Sequence, residues 1–214
     1  MTVRKETGND AKSKKIFFKQ NITFSQGVTR IEDLPKETSA EVAFFGRSNV
    51  GKSSLLNSIT NKNKLAYTSK NPGRTRELNF FSLSKNSKTL INIVDMPGYG
   101  FAKASKDQIK KWTKLSDSYL KTRKNLRRVF LLIDSRRNIM SIDNEIMDIM
   151  DDYAVSYQIV LTKADKILKV ENLAELVLKE VEKRKAIFPK ILITSSKSKF
   201  GIDDIREEIA SLIN

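Results

Sequence analysis

The stretch that decides the fold is Gly46-Arg47-Ser48-Asn49-Val50-Gly51-Lys52-Ser53. It follows the apolar run AEVAFF and precedes an amphipathic segment, so it matches G-x-x-x-x-G-K-[S/T] in the strand–loop–helix context of a phosphate-binding loop. The glycines let the backbone wrap a phosphate, and the amides at the helix start point toward that anion. Lys52 would bring positive charge to the β- and γ-phosphates, and the Ser53 hydroxyl would bind Mg²⁺. We therefore predict a nucleotide phosphate site at residues 46–53.

Short apolar runs alternate with longer amphipathic segments along the rest of the chain. Strands are predicted at 41–45, 79–83, 90–94, 129–133, 158–161 and 190–193, with a candidate edge strand within 16–28. Helices are predicted at 52–60, 104–122, 141–154, 171–187 and 202–213. This alternation is typical of a doubly wound α/β domain. We expect a mostly parallel, six-stranded sheet with helices on both faces.

The chain divides into three parts by composition. Residues 1–15 are polar and basic without periodicity, and they are predicted to form a disordered tail. Residues 16–39 form an entry segment that ends in the polar stretch around Pro35. Residues 40–214 form the main domain, which is long enough to bury a sizeable core.

Composition excludes several kinds of chemistry and indicates one kind of partner. The 214 residues include no cysteine and no histidine, which excludes disulfides, thiol nucleophiles, Ser–His triads and histidine metal centres. The formal net charge is +15, which favours a polyanionic partner: nucleic acid, a nucleic-acid particle or an anionic membrane surface. No apolar run reaches the ~18 residues of a membrane span, and the first residues lack the apolar core of a secretory signal. We expect a cytoplasmic protein.

Two further motifs are suited to phosphate and metal. Asp95-Met96-Pro97-Gly98 follows the apolar run LINIV, where a strand-end carboxylate can hold Mg²⁺ through water and the glycine amide can approach a γ-phosphate. Alone, this D-x-x-G pattern is weak. Gly73-Arg74-Thr75-Arg76-Glu77 lies between the two phosphate motifs, and its threonine can supply a second hydroxyl to the metal and sense the γ-phosphate through its amide.

Two more strand ends indicate which base is bound. Thr162-Lys163-Ala164-Asp165 follows QIVL, and the Asp165 carboxylate can accept both the ring N–H and the amino group of guanine. The stem of Lys163 can lie over the purine plane. Thr194-Ser195-Ser196 follows KILI, and its backbone amides can donate to guanine O6. Adenine would leave Asp165 unpaired, so ATP should be rejected.

These motifs in this order resemble the EngB family of translation-factor-related GTPases. The resemblance rests on GRSNVGKSSLLN, PGRTRELNFF, DMPGYGFAK and TKAD, covers about residues 16–213, and extends to Asp134-Ser135-Arg136-Arg137 followed by Asp143. It implies a Ras-like P-loop GTPase domain that binds GTP or GDP with Mg²⁺. It also implies a role in assembly of the large ribosomal subunit and in normal cell division and septation.

The resemblance assigns site residues by position. The nucleotide contacts would be Gly46, Arg47, Ser48, Asn49, Val50, Gly51, Lys52, Ser53, Gly73, Arg74, Thr75, Arg76, Glu77, Asp95, Met96, Pro97, Gly98, Thr162, Lys163, Ala164, Asp165, Thr194, Ser195 and Ser196. The metal ligands would be Ser53, Thr75 and Asp95, and the residues expected to act in hydrolysis are Lys52, Thr75 and Gly98. One departure is Ser196, where the family often has alanine, although backbone donation survives the change.

The sequence lacks the usual residue that positions the attacking water. Ras-like enzymes use a glutamine directly after D-x-x-G, and here that position is Tyr99. Intrinsic hydrolysis should therefore be slow. Three groups could compensate: one from a partner such as the ribosome, Arg74 or Arg76 in cis, or a monovalent cation such as K⁺ bound near Asn49. Asn49 has an equally good structural explanation, because asparagine tolerates a left-handed turn.

Positive charge is concentrated in two segments beside the phosphate motifs. Residues 62–76 contain five Lys or Arg and no acid, and residues 103–128 contain ten Lys or Arg and two acids. We predict that these segments form the surface that contacts a large-subunit precursor or rRNA, through phosphates and shape. A solvated helix face is the alternative. We expect the protein to be a monomer.

Two other classes of function compete with a GTPase switch. An ATP-using P-loop enzyme such as a small kinase shares the phosphate loop, but 162–165 argues against adenine. A basic RNA- or membrane-binding module would use its nucleotide site only structurally. Such a module would bind polyanions regardless of the nucleotide present.

Overall fold

The elements follow the predicted order. The computed structural model describes residues 22–62, 65–66, 77–100, 106–168, 170 and 172–213, with the backbone alone at 106–113. The strands are β1 (Ile22–Val28), β2 (Ala40–Gly46), β3 (Leu78–Lys85), β4 (Lys88–Asp95), β5 (Leu126–Asp134), β6 (Tyr157–Thr162) and β7 (Leu192–Ile193). The helices are α1 (Lys52–Thr60), α2 (Lys106–Thr122), α3 (Ser141–Asp152), α4 (Leu173–Val181) and α5 (Ile202–Ser211). Short 3-10 helices lie at Ile31–Asp33 and Ala164–Lys166.

The strands form one mixed sheet in the order β1-β3-β4-β2-β5-β6-β7. β2 pairs parallel with both β4 and β5, and β6 pairs parallel with both β5 and β7. β3 pairs antiparallel with both β1 and β4. The predicted number of six strands is wrong by one, because the candidate edge strand forms and adds a seventh beside β3. Asn86 and Ser87 both have positive φ and form the two-residue turn between β3 and β4.

Helices cover both faces of the sheet, as predicted. Alternate residues of β2 point to opposite sides. Val42 and Phe44 pack in the cluster that contains the apolar residues of α1 and α5. Ala43 and Phe45 pack in a second cluster with those of α2, α3 and α4. The near-continuous apolar pattern of β2 therefore reflects burial on both faces.

Two predicted elements are shorter than expected. The predicted helix at 171–187 stops at Val181, since Arg184 turns back to Asp148 and Asp151 at 2.8 and 3.0 Å. The chain then runs beside the start of β6, where the Tyr157 amide donates to the Ala186 carbonyl at 3.1 Å. The predicted strand at 190–193 is reduced to the two residues of β7.

The fold brings the motif-bearing strand ends together. The carboxyl ends of β2, β4, β5, β6 and β7 meet at one edge because these strands run parallel, which is where open α/β sheets bind ligands. Within the described residues, no helix has the length and apolar character needed to cross a bilayer. The predicted tail at 1–15 lies outside those residues, as does the start of the entry segment.

Candidate functional site

The phosphate-binding loop is shaped by two glycines and by a hydrogen bond from a distant strand. A Cβ atom on Gly46 would lie 2.9 Å from the Cβ of Leu132 on β5, so this approach of two strands requires glycine. Gly51 has φ of 109°, in the left-handed region that glycine tolerates, and directly precedes α1. The Thr162 hydroxyl donates to the Val50 carbonyl at 2.7 Å. The loop is therefore held by β5 and β6 as well as by its own strand.

Lys52 and Asp95 form a buried ion pair at the start of α1. Their residues are 8% and 3% exposed, and Lys52 Nζ donates to Asp95 Oδ1. The parallel register of β2 and β4 pairs Phe44 with Asp95 and so brings the two motifs together. Within the described part of the chain, no group hydrogen-bonds the neighbouring Ser53 hydroxyl, which leaves that oxygen available to a metal ion.

The segment after β4 lies directly against the phosphate loop. The Tyr99 amide donates to the Gly46 carbonyl at 3.2 Å, and the Ser48 amide donates to the Tyr99 carbonyl at 3.0 Å. A Cβ atom on Gly98 would lie 3.2 Å from the Gly46 carbonyl oxygen and 3.3 Å from the Ser48 nitrogen. Gly98, the residue predicted to contact a γ-phosphate, is therefore in contact with the loop predicted to bind it.

The two base motifs also meet. The Ser195 hydroxyl, which is fully buried, donates to Asp165 Oδ1 at 2.7 Å. This hydrogen bond lowers the pKa of Asp165 and keeps the carboxylate charged. A pocket of about 400 Å³ opens beside it and is lined by Gly51 of the loop, by Asp165 and by Ser196. A ligand with a planar hydrogen-bonding group in this pocket could donate to the charged Asp165 carboxylate and also reach the phosphate loop.

Two of the predicted base contacts are corrected by the backbone hydrogen bonds. The Thr194 amide donates to the Leu161 carbonyl at 2.7 Å, and the Ser195 amide donates to the Phe200 carbonyl at 3.0 Å. These amides are therefore not available to a guanine oxygen. The Ser196 amide has no such acceptor among the described residues and remains the candidate donor.

Lys163 links the base motif to the phosphate loop. Its Nζ donates to the Asn49 carbonyl at 2.7 Å and to Asp134 Oδ2 at 2.9 Å, and Arg136 Nη2 donates to the same carboxylate at 2.6 Å. Burial alone would raise the pKa of Asp134, but the hydrogen bonds from Arg136 and Lys163 hold it well below its usual range. Asn49 has φ of 64°, so the left-handed turn foreseen for it is present.

The remaining predicted residues differ in whether the structure describes them and in what they contact. Gly73, Arg74, Thr75 and Arg76 lie outside the described residues. Arg47 Nη1 donates to Met140 Sδ at 2.6 Å, so its side chain is directed at the start of α3. The Glu77 carboxylate covers β1, where a Cβ on Gly27 would lie 2.0 Å from Glu77 Oε2. The Met96 amide donates to the Phe44 carbonyl at 3.1 Å, and Pro97 is buried beside it.

Sequence reasoning missed three side-chain roles. Asp134 and Asp143 were recognised only as members of a family-like stretch, although Asp134 holds Lys163 and Asp143 holds Tyr99. Ser195 was given a backbone role, whereas its hydroxyl orients Asp165. The available signal was the position of Asp134 directly after a buried strand, next to the other motif-bearing strand ends.

The predicted basic surface at 103–128 is wrong for two of its ten cations. Arg123 Nη2 pairs with Glu41 at 2.5 Å, and Arg128 Nη1 pairs with Glu208 at 2.8 Å. Both arginines are more than nine-tenths buried, so they stabilise the interior and cannot face a partner. Within the described part of the segment, the exposed cations are Lys114, Lys121, Lys124 and Arg127.

Known proteins resemble this chain in sequence and in fold. A family model described as a 50S ribosome-binding GTPase matches residues 41–163. A probable GTP-binding protein EngB from Hyphomonas neptunium is 48% identical over 201 residues, which are 92% of this chain and 90% of the relative. The crystal structure of a probable GTP-binding protein engB superimposes with a TM-score of 0.63 at 25% identity, over 81% of this chain and 98% of that one.

A second solved structure shows the same fold at greater distance. The crystal structure of Era in complex with MgGDPNP and nucleotides 1506-1542 of 16S ribosomal RNA has a TM-score of 0.68 at 22% identity. It covers 82% of this chain and 57% of that one. The identity to the curated relative and the extent of the family model together decide the family: the chain belongs to the EngB family of GTP-binding proteins and is a GTPase.

Proposed function

We propose that this GTPase binds GTP and GDP through residues 46–53, 95–98, 162–165 and Ser196. Lys52 would leave part of its interaction with Asp95 for the β- and γ-phosphates, and the Gly98 amide would contact the γ-phosphate. Asp165 would accept the two guanine donors while Ser195 holds it. The observation that carries this proposal is the convergence of the four motifs at one edge of the sheet, tied by the Lys163 and Ser195 hydrogen bonds.

We also propose a Mg²⁺ site that depends on the nucleotide. Among the described residues, no group of three acidic side chains could hold a metal ion on its own. The Ser53 hydroxyl and the nearby Asp95 carboxylate are hard oxygen ligands, which suit Mg²⁺ when phosphates complete its coordination. Asp95 would act through a water molecule, and the Thr75 hydroxyl would add a ligand from outside the described residues. When bound, the metal neutralises charge on the phosphates.

Slow hydrolysis that depends on an added group remains part of the proposal. The Tyr99 hydroxyl donates to Asp143 at 2.7 Å, so it is already committed within the protein. One of three groups would then assist the reaction. These are a potassium ion bound near Asn49, an arginine of the same chain (Arg74 or Arg76), and a group supplied by the ribosome. Comparing the rates in potassium and sodium salts, for the wild type and Asn49→Ala, tests the first of these.

The cellular role that we propose is a switch in assembly of the large ribosomal subunit, with a consequent requirement in cell division and septation. The description of the matching family model as 50S ribosome-binding and the net charge of +15 support this. We propose that the protein acts as a monomer in the cytoplasm. Its main domain would be preceded by a basic tail at 1–15 and an entry segment at 16–39. Ribosomal RNA would be contacted through the exposed cations of 103–128 and through 62–76.

The test is nucleotide-dependent binding to ribosomal particles. Purified protein is sedimented with large-subunit precursors, mature large subunits or small subunits, in the presence of GDP or a non-hydrolysable GTP analogue. We expect it to sediment with large-subunit particles when the GTP analogue is bound, and much less with GDP. Equal sedimentation with all particles and both nucleotides would contradict the proposed switch and indicate general polyanion binding.

A further inference from the structure

Tyr99 occupies the position at which related enzymes hold the attacking water, but it is anchored inside the protein. Its backbone is joined to the phosphate loop on both sides, through the Gly46 carbonyl at 3.2 Å and the Ser48 amide at 3.0 Å. Its ring packs edge-on against Phe45, with 5.0 Å between the ring centroids. The two backbone hydrogen bonds and the ring contact fix the residue that directly follows Gly98.

The Tyr99 hydroxyl adds a third anchor. It donates to Asp143 Oδ1 at 2.7 Å, and the other oxygen of this carboxylate accepts the Met140 amide at 3.0 Å. Asp143 is 2% exposed, so its carboxylate oxygens rely on these two donors for hydrogen bonds. Burial, and then the charge of Asp143, raises the pKa of Tyr99, so the hydroxyl remains a proton donor at physiological pH. The start of α3 thereby holds the segment that carries Gly98.

We propose that Tyr99 is a positioning residue that holds the Gly98 amide against the phosphate loop and so favours GTP over GDP. The inference rests on the proposed nucleotide site and acts through Gly98. A donor that is already in place does not need to be ordered when the γ-phosphate arrives, so binding is stronger. Only GTP has a γ-phosphate. Loosening Tyr99 should therefore weaken GTP binding and leave GDP binding nearly unchanged.

The chain contains a matched control for this role. Tyr119 on α2 also donates its hydroxyl to a buried carboxylate, Glu41 Oε2, at 2.9 Å. Glu41 lies at the start of β2, five residues before Gly46 and hence about 16 Å along the strand from the phosphate loop. Removing either hydroxyl leaves a buried carboxylate with one donor fewer. Only the loss at Tyr99 should affect the discrimination between nucleotides.

The experiment compares Tyr99→Phe, Tyr119→Phe and the wild type by calorimetric titration with GDP and with a non-hydrolysable GTP analogue. For Tyr99→Phe we expect the dissociation constant of the analogue to rise about five- to ten-fold, on the scale of one hydrogen bond, with that of GDP within two-fold. Tyr119→Phe should leave the ratio of the two constants unchanged while lowering the melting temperature to a similar extent.

Asp143→Ala provides an independent second variant. It should change the ratio in the same direction as Tyr99→Phe, and the double variant should add little, since both remove the same contact. An unchanged ratio in Tyr99→Phe, a rise in relative affinity for the GTP analogue, or an equal change in Tyr119→Phe would overturn the role of Tyr99. A wild-type protein that binds neither nucleotide at these residues would instead overturn the proposed site.

Discussion

At the scale of single residues, the base site depends on a hydroxyl that orients a carboxylate. Ser195 donates to one oxygen of Asp165 at 2.7 Å and is itself fixed by the Ser198 amide, which donates to its hydroxyl at 3.1 Å. A carboxylate held in this way can present its remaining acceptor positions to the ring N–H and the amino group of guanine. The side chain of Asp165 is otherwise exposed, so its orientation depends mainly on Ser195.

This arrangement predicts a change of base preference in Asp165→Asn. The amide group places a donor where guanine also offers a donor, while xanthine offers an oxygen at that position. We expect GTP affinity to fall roughly ten- to a hundred-fold and affinity for xanthosine triphosphate to rise, as measured by competition binding. Asp204→Asn, which changes an exposed carboxylate on α5, is the control. Wild-type GTP affinity in Asp165→Asn would show that Asp165 does not contact the base.

Sequence spacing could predict Asp165 but not its partner. A carboxylate at the end of a buried strand, in T-K-x-D, has a recognisable chemical purpose. The orientation of the Ser195 hydroxyl depends on a loop closed by the Ser195 amide and the Phe200 carbonyl, which is a tertiary contact without a sequence pattern. The same holds for Tyr99 and Asp143, which lie 44 residues apart in the chain.

At the scale of elements, the helix that begins with Lys52 is fixed at its far end by α5. Arg206 Nε donates to the Ile59 carbonyl at 2.8 Å, and Nη2 donates to the Ser58 carbonyl at 3.0 Å. Both carbonyls belong to the last turn of α1, where intrahelical donors run out, and the Ser58 carbonyl also accepts the Asn61 amide at 3.3 Å. Arg206 therefore joins two helices on the same face of the sheet and supports the start of α1 indirectly.

We expect Arg206→Met to lower the free energy of unfolding by about 2 kcal/mol, the scale of charge-assisted hydrogen bonds to carbonyls left partly buried. Arg127→Met, at an exposed arginine, should change it by less than about 0.5 kcal/mol. Urea unfolding followed by circular dichroism measures both values. Equal stability of the two variants would mean that water replaces Arg206 at the end of α1.

The sequence predicts the bounds of a helix or strand well where residues within that element determine its ends. The bounds of α1 agree with the predicted 52–60, because a glycine-rich loop and an apolar stripe define both ends locally. The end of α4 and the length of β7 were not predictable, since contacts of Arg184 with another helix decide where the chain leaves α4. β1 was foreseen only as a candidate, because its half-exposed pattern gives a weaker signal than the buried strands do.

At the scale of the whole molecule, net charge and surface charge are different quantities. The segment 103–128 has a net charge of +8 by sequence, yet Arg123 and Arg128 are paired with Glu41 and Glu208 in the interior. Removing one partner of such a buried pair would leave the other charge buried and unpaired, so these arginines stabilise the fold. Among the side chains of this segment that the structure describes, the cations that remain for an RNA partner are Lys114, Lys121, Lys124 and Arg127.

The proposed RNA contact predicts a specific dependence on salt. Each phosphate contact adds roughly 0.7–0.9 to the slope of log affinity against log salt concentration. Reversing the charge at three exposed lysines, Lys114→Glu, Lys121→Glu and Lys124→Glu, should therefore flatten the slope for large-subunit particles by about two units if most of them contact phosphate. Affinity for GTP should remain within two-fold, because none of the three belongs to the nucleotide site.

The control carries the same change of charge elsewhere on the surface. Lys36, Lys85 and Lys88 are also exposed and lie outside α2 and the residues that follow it, with Lys85 and Lys88 in the β3–β4 hairpin. Their reversal to Glu should leave the slope almost unchanged, since only long-range attraction is reduced. If both triple variants flatten the slope equally, the particles respond to net charge alone. The lysines on and just after α2 would then be solvated residues without a specific phosphate contact. Neither outcome would change the conclusion that the protein is a GTPase.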